Sequence, residues 1–200
     1  IRDIGVTGVQ TCALPISTRS PLAAVGLGGS VPTPPGWLEA DVIVVGSFEE
    51  LRARAAEVRG RIVLFNAPFV SYGETVTYRN GGARAAAAFG AVATLVRGVG
   101  PTGLRTVHTG SVEYSADAPS IPAASIAAED ANRLARLAAT GQRLRVRLSL
   151  ESRTLPDAPS ANVIGEILGR ERPDEVVLLG GHLDSWDISP GASDDGAGCI

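Results

Sequence analysis

Short apolar runs alternate with helix-forming stretches along the first half of this chain, and this alternation limits the fold more than any other feature. Ser47 and Glu50 form a Ser-x-x-Glu capping box, a pattern typical of a helix start. Gly60 and Gly90 are suited to end helices, because glycine adopts the left-handed conformation found there. The pattern predicts strands over 41–45, 61–65 and 91–96, and helices over 47–60 and 77–89. The predicted fold class is α/β.

The second half is less regular. Residues 106–122 carry two prolines between weak apolar patches, which favours a loop. Helical spacing returns over 129–139, with Gly141 as the stop. Residues 143–150 then alternate apolar and polar, as in a half-buried strand whose wet face carries Arg143, Arg145, Arg147 and Ser149. We interpret this arginine row as a solvated face, with an anion-binding surface as the alternative.

Residues 151–160 (ESRTLPDAPS) show no periodicity and are the best candidate for a domain boundary. Beyond them, the apolar runs 162–167 and 175–180 predict two strands joined by a charged turn. The second run leads directly into residues 181–198, the segment of the chain that is richest in reactive side chains.

Charge and composition exclude several classes of function. The net charge of −3 gives no reason to expect nucleic acid or an anionic membrane as a partner. The longest apolar run, residues 85–96, falls short of the ~20 residues that a membrane-spanning helix needs. Gly26, Gly28 and Gly29 suggest a dinucleotide loop, but prolines follow where the helix should begin, so no such cofactor is predicted.

A metal site is predicted at the end of the chain. His182 and Asp184 lie two residues apart after an apolar run, so both side chains face one side of an extended backbone. The Asp184 carboxylate can then hold the second imidazole nitrogen of His182 and orient it. Asp194 follows a loop long enough to return beside His182, and imidazole with carboxylate suits Zn²⁺ or Co²⁺. The alternative is a hydrogen-bonded structural histidine with acidic helix caps.

The run GGHLDSWDISPGASDDGAG resembles the first metal motif of the co-catalytic zinc exopeptidases, the family of leucyl aminopeptidases, glutamate carboxypeptidase and carboxypeptidase Q. Both its His-x-Asp and its Gly-Ala-x-Asp-Asp-Gly elements match. Earlier blocks are similar to the carboxypeptidase Q branch, so the resemblance covers residues 22–200. These blocks are 27–31, 47–51, 75–79, 107–110 and 121–123.

The resemblance implies a fold, a site and an activity. The fold is a protease-associated domain of mixed β-structure with flanking helices, over residues 17–155, followed by the start of a zinc-exopeptidase α/β domain over 156–200. His182 would bind one of two zinc ions, Asp194 would bridge both, and Asp184 would orient His182. The peptide bond after Asp194 would be cis in the complete metal-loaded protein. The remaining zinc ligands and the general-base Glu would lie outside this chain, so the chain alone is expected to be inactive.

The same resemblance implies the partners of the complete protein. Dipeptides or short peptides would be hydrolysed by a metal-activated water. Export from the cell is expected, since members of the family are mostly exported or lysosomal. A homodimer is one assembly to test. Whether the substrate is cut from its amino or its carboxyl end stays open.

The first sixteen residues are interpreted as a leader that does not belong to the gene. Residues 6–16 (VTGVQTCALPI) look like the translation of a sequencing-library adapter, and the chain contains no Met. We expect residues 1–16 to have no structural role and the chain to be a fragment. Removing Cys12 with the leader leaves only Cys199, so no disulfide or Cys-x-x-Cys metal site is predicted.

A different class of function remains as the alternative, namely a non-catalytic binding module built on residues 22–155. Three further residues have open roles. Trp186, in the metal loop beside Asp187, either packs or lines a substrate pocket. His108 is more consistent with a surface or structural role than with the active site, and Cys199 with a small buried residue than with a nucleophile.

Overall fold

The structure is a computed structural model, and it describes residues 9–13, 18–186 and 189–198. The chain divides into two compact units, one spanning Asp3–Thr154 and the other containing Leu155–Ile200. Asp187 and Cys199 lie outside the described residues. No helix in the described ranges has both the length and the apolar character needed to cross a membrane.

The first unit is built on a mixed sheet. Its strands are β1 (Val9–Ala13), β2 (Thr18–Leu22), β3 (Ala24–Gly26), β4 (Leu38–Val45), β5 (Ile62–Phe65), β6 (Ala93–Arg97), β7 (Ala123–Ile126) and β8 (Leu144–Leu148). Their order across the sheet is β2-β1-β8-β4-β5-β6-β7-β3. Strands β4 to β7 are parallel neighbours, and the other pairs are antiparallel. Because only Ala23 separates β2 from β3 at opposite ends of that order, the sheet curls on itself.

Three helices cover this sheet, and the α/β fold class is confirmed. They are α1 (Phe48–Ala53), α2 (Tyr72–Ala87) and α3 (Ala128–Ala139). The capping box begins α1 as predicted, with the Ser47 hydroxyl accepting a hydrogen bond from the Glu50 amide at 3.1 Å. The helix ends at Ala53 rather than at Gly60, and a short 3₁₀ turn, Ala55–Glu57, follows it.

The core lies on both faces of the parallel strands. In β5, Ile62 and Leu64 join a cluster that includes Leu134 of α3, whereas Val63 and Phe65 join a second cluster with Leu51 of α1. Successive side chains of a strand point to opposite faces, so an uninterrupted apolar run fills both cores. This arrangement explains why β5 contains no polar residue.

The arginine row of β8 faces acidic residues on the neighbouring strand. The register places Arg147 opposite Glu39 and Arg145 opposite Asp41. Arg143 pairs with Asp41 at 2.8 Å, and Arg145 lies 3.4 Å from Glu39. The row therefore forms a ladder of ion pairs across β4 and β8 at the surface.

Strand β1 falls inside the segment 1–16 that was expected to have no structural role. Val9–Ala13 pairs with β2 on one side and with β8 on the other. The foreign origin of the leader is a separate matter that stays a prediction.

The second unit corrects one prediction from the sequence. Residues 162–167 and 175–180 form no strands, and large apolar side chains there, such as Ile167 and Leu179, are almost fully exposed. A strand obtains its hydrogen bonds from a neighbouring strand. Within the described part of the chain no strand pairs with either run, so apolar composition alone does not make these segments β-structure.

Candidate metal centre

The candidate site lies in the second unit, in residues 182–186 and 189–198, where hydrogen bonds join His182 to the side chains of Asp194 and Asp195. Gly191 adopts a φ of +70°, and its carbonyl accepts a hydrogen bond from the Gly196 amide at 2.9 Å. The left-handed conformation suits glycine because it has no Cβ. A short 3₁₀ turn, Gly196–Gly198, closes this segment directly after Asp194 and Asp195.

The His182 imidazole contacts both aspartates that the sequence analysis selected. Nε2 lies 2.9 Å from Oδ1 of Asp194. Nδ1 lies 3.2 Å from a carboxylate oxygen of Asp184 and 2.8 Å from its backbone carbonyl oxygen. The expected meeting of residues 182 and 184 therefore occurs, with the backbone carbonyl as the nearer partner.

These oxygens change the electrostatics of the ring. The pKa of His182 is raised above its ordinary value, chiefly by the hydrogen bond to Asp194 and then by the Asp184 backbone carbonyl. Both ring nitrogens face oxygen acceptors, an arrangement that favours the protonated imidazolium over either neutral tautomer. Binding of a metal would replace the proton on Nε2.

The donor types at this loop fit zinc, but their number does not complete a zinc site. Zinc is bound by imidazole nitrogen and carboxylate oxygen, usually with four ligands. His182 and Asp194 supply one of each. Over residues 9–13, 18–186 and 189–198 no group of three His, Cys, Asp or Glu side chains is placed to hold a metal ion. Further ligands would have to come from other residues of the complete protein.

Two further features lie at the Asp194–Asp195 pair. The peptide bond between Asp194 and Asp195 is cis. Asp195 has no role predicted from the sequence, yet its Oδ2 accepts a hydrogen bond from the His182 amide at 3.0 Å. The signal available was the Asp-Asp pair itself, since two consecutive carboxylates offer two separate acceptors.

The other residues with open roles are placed as follows. Trp186 is about half exposed, with 45% of its surface accessible. His108 lies in the first unit, where its Nδ1 is 3.4 Å from Nη1 of the buried Arg79 and its ring is 5.8 Å from that of Tyr72.

Two family models match the chain. The model described as PA domain matches residues 33–134, and the model described as Peptidase family M28 matches residues 162–200. The first covers about half of the chain. The second contains His182, Asp184 and Asp194.

Similar proteins agree with these matches. Carboxypeptidase Q of Xenopus laevis is 48% identical over 96% of this chain and 41% of its own length. A crystal structure titled Peptidase M28 precursor, from Shewanella amazonensis SB2B, is 34% identical with a TM-score of 0.86, over 96% of this chain and 45% of that one. A zinc aminopeptidase from Bacillus subtilis, 21% identical with a TM-score of 0.54 over 98% and 45% of the two chains, shares the fold. The chain spans about two fifths of the length of the curated relatives it matches.

Proposed function

Because the chain belongs to the PA domain family and carries a segment of peptidase family M28 after that domain, we propose that the complete protein is a zinc-dependent exopeptidase. Its substrates are dipeptides or short peptides, as the resemblance to carboxypeptidase Q indicates. The observation that carries this proposal is the contact between His182 Nε2 and Asp194 Oδ1 inside the matched segment.

His182 and Asp194 would hold the metal, with Asp194 shared between two zinc ions. Asp184 would orient the imidazole through Nδ1, the usual way in which a ligating histidine is held. When bound, zinc supplies Lewis-acid activation of water and of the scissile carbonyl. The general-base Glu and the other ligands are assigned to residues outside these 200.

The donor count predicts weak zinc binding by the 200-residue chain itself. Two donor side chains cannot complete the usual four-ligand set. We therefore propose that catalysis belongs to the complete protein. Export from the cell and a homodimeric assembly are part of the same proposal, and cell fractionation and light scattering of the complete protein test them.

The proposal is tested by substituting the two proposed ligands in the complete protein. His182→Ala and Asp194→Ala should each reduce dipeptide hydrolysis by at least about 100-fold, because metal activation contributes several kcal/mol to transition-state stabilisation. Asp157→Asn, at an exposed carboxylate of the same unit, should keep full activity. Circular dichroism shows whether each variant keeps its fold.

Two results would count against a peptidase. One is full turnover by an Asp194→Ala protein that contains no metal. The other is a complete reading frame without a downstream Glu-Glu pair followed by an Asp and a His, which would favour a non-catalytic PA-domain binding module.

A further inference from the structure

Asp194 and Asp195 hold His182 at two different points. The Asp194 carboxylate meets the imidazole, as described above, and the Asp195 carboxylate accepts the backbone N–H of His182 at 3.0 Å. We propose that Asp195 is a positioning residue, which fixes the backbone of His182 so that its imidazole is presented to the metal. This inference rests on the proposed function.

Metal binding affects the two contacts differently. The Asp194 contact joins Nε2 to Oδ1, the two atoms that would themselves become ligands, so this hydrogen bond is exchanged for metal bonds. The Asp195 contact uses a backbone amide, which donates hydrogen bonds and does not ligate a cation. The Asp195 contact is therefore the one that both the metal-free and the metal-bound protein retain.

Glycine at position 198 leaves room for the Asp195 carboxylate. A Cβ added at Gly198 would lie 2.7 Å from Oδ1 of Asp195 and 3.2 Å from its Cγ. The Gly198 amide also donates a hydrogen bond to the Asp195 carbonyl at 2.7 Å. Glycine at position 198 thus leaves room for the carboxylate between the closing turn and His182.

His182 lies in a segment without regular secondary structure. Residues 182–186 belong to no helix or strand, and the His182 side chain is 49% exposed. A charge-assisted hydrogen bond from an amide to a carboxylate is among the stronger restraints available to such a segment.

The experiment compares Asp195→Ala with Asp195→Asn in the complete protein, with Asp157→Asn as the matched control for loss of one exposed carboxylate. Asn keeps an oxygen acceptor and loses the charge, whereas Ala removes the acceptor. Two quantities are measured: the exchange rate of the His182 amide hydrogen, resolved to single residues, and the affinity for Zn²⁺ by calorimetry.

We expect Asp195→Ala to accelerate exchange of the His182 amide at least tenfold and to weaken zinc binding by about 10–100-fold, the usual cost of losing a residue that orients a ligand. Asp195→Asn, which keeps the acceptor without its charge, should fall between wild type and Asp195→Ala in both the amide exchange rate and the zinc affinity, and Asp157→Asn should change neither. Gly198→Ala should resemble Asp195→Ala, since its methyl group displaces the carboxylate.

Unchanged amide exchange and unchanged zinc affinity in Asp195→Ala would overturn the inference. If Asp195→Ala does not fold, the folded Asp195→Asn protein decides instead. The inference is overturned if Asp195→Asn shows the full acceleration of amide exchange and the full loss of zinc affinity expected of Asp195→Ala, because the acceptor is still present there. A wild-type protein that binds no zinc would instead refute the proposed function, while the amide exchange would still report whether Asp195 holds the His182 backbone.

Discussion

At the scale of single residues, Gly110 shows how a glycine makes room for a buried charge. The guanidinium of Arg79 is buried, and its Nη1 donates a hydrogen bond to the Thr109 carbonyl at 2.9 Å. Gly110 follows with a φ of +150°, and a Cβ at this position would overlap the guanidinium carbon and nitrogens of Arg79. The loop and the helix therefore approach each other in a way that only glycine permits.

Gly110→Ala should lower the free energy of unfolding by about 3 kcal/mol. Overpacking and an unfavourable backbone angle each typically cost about 1–3 kcal/mol. Gly103→Ala is the control, since a Cβ there meets nothing within 4 Å, and it should change stability by less than about 0.5 kcal/mol. Urea unfolding measures both, and equal stability of the two variants would contradict the packing argument.

The ion pair between Asp41 and Arg143 is a second single-residue feature, and it makes the stability of the fold depend on pH. The hydrogen bond from Arg143 lowers the pKa of Asp41 below its ordinary value of 3.8. Because the pKa of Asp41 is lower in the folded state, the ion pair stabilises the fold fully at pH values above the pKa of the unfolded state. This stabilisation is lost as the pH falls through the pKa of the folded state.

Asp41→Asn should therefore destabilise the protein at pH 7, and the difference from wild type should shrink at pH 3. The urea midpoint of each protein, measured at both pH values, checks this. Glu151→Gln removes an exposed carboxylate outside the ladder and should show no such change. If the stability difference between wild type and Asp41→Asn grew on acidification, the ion pair would not be its cause.

At the scale of elements, α2 begins five residues before the predicted start at residue 77. Its first residue is Tyr72, because the hydroxyl of Ser71 accepts a hydrogen bond from the Glu74 amide at 3.3 Å. Ser71 and Glu74 repeat the Ser-x-x-Glu pattern that begins α1. The signal was present in the sequence, but Gly73 and the β-branched residues that follow weaken the helical pattern.

Ser71→Ala should cost about 1 kcal/mol of stability, because one amide of the first turn loses its acceptor. Ser71→Asp keeps an acceptor there and should be close to wild type. Thermal unfolding distinguishes the two. If both variants unfold at the same temperature, the cap does not contribute to the stability of α2.

At the scale of the whole molecule, the two units differ in how much of their backbone is protected. The first contains the sheet and the three helices, whereas residues 155–186 contain neither strand nor helix. Arg170 within that stretch and Arg153, just before the boundary between the units, are both exposed. Proteases act on backbone that is accessible and outside regular structure.

Brief trypsin treatment should cleave after Arg153 and Arg170 before it cleaves after the buried Arg79 or Arg97. A fragment ending at Arg153 should persist, and mass spectrometry identifies it. Arg153→Gln should delay its appearance and move the first cut to Arg170. Early cleavage at Arg79 or Arg97 would show that the first unit opens easily.

Local signals in the sequence determined much of this protein. The apolar runs of β4, β5 and β6, the alternation in β8 and the capping box of α1 all correspond to observed elements. Each depends on periodicity or on residues within one turn of helix. The contact between His182 and Asp184 also joins residues only two positions apart, but its nearer partner is the Asp184 backbone carbonyl rather than the predicted carboxylate.

Tertiary structure decided the rest. Strand β3 is only three residues long, and β7 (Ala-Ala-Ser-Ile) carries a single large apolar side chain, so neither has a clear pattern. The two strands pair with each other, and β7 also pairs with β6. The apolar runs 162–167 and 175–180 have a clear pattern and no pairing strand among the described residues, so they form none. The Asp195 contact joins residues 13 positions apart. Pairing and loop closure depend on what the folded chain brings together, and local sequence does not encode that.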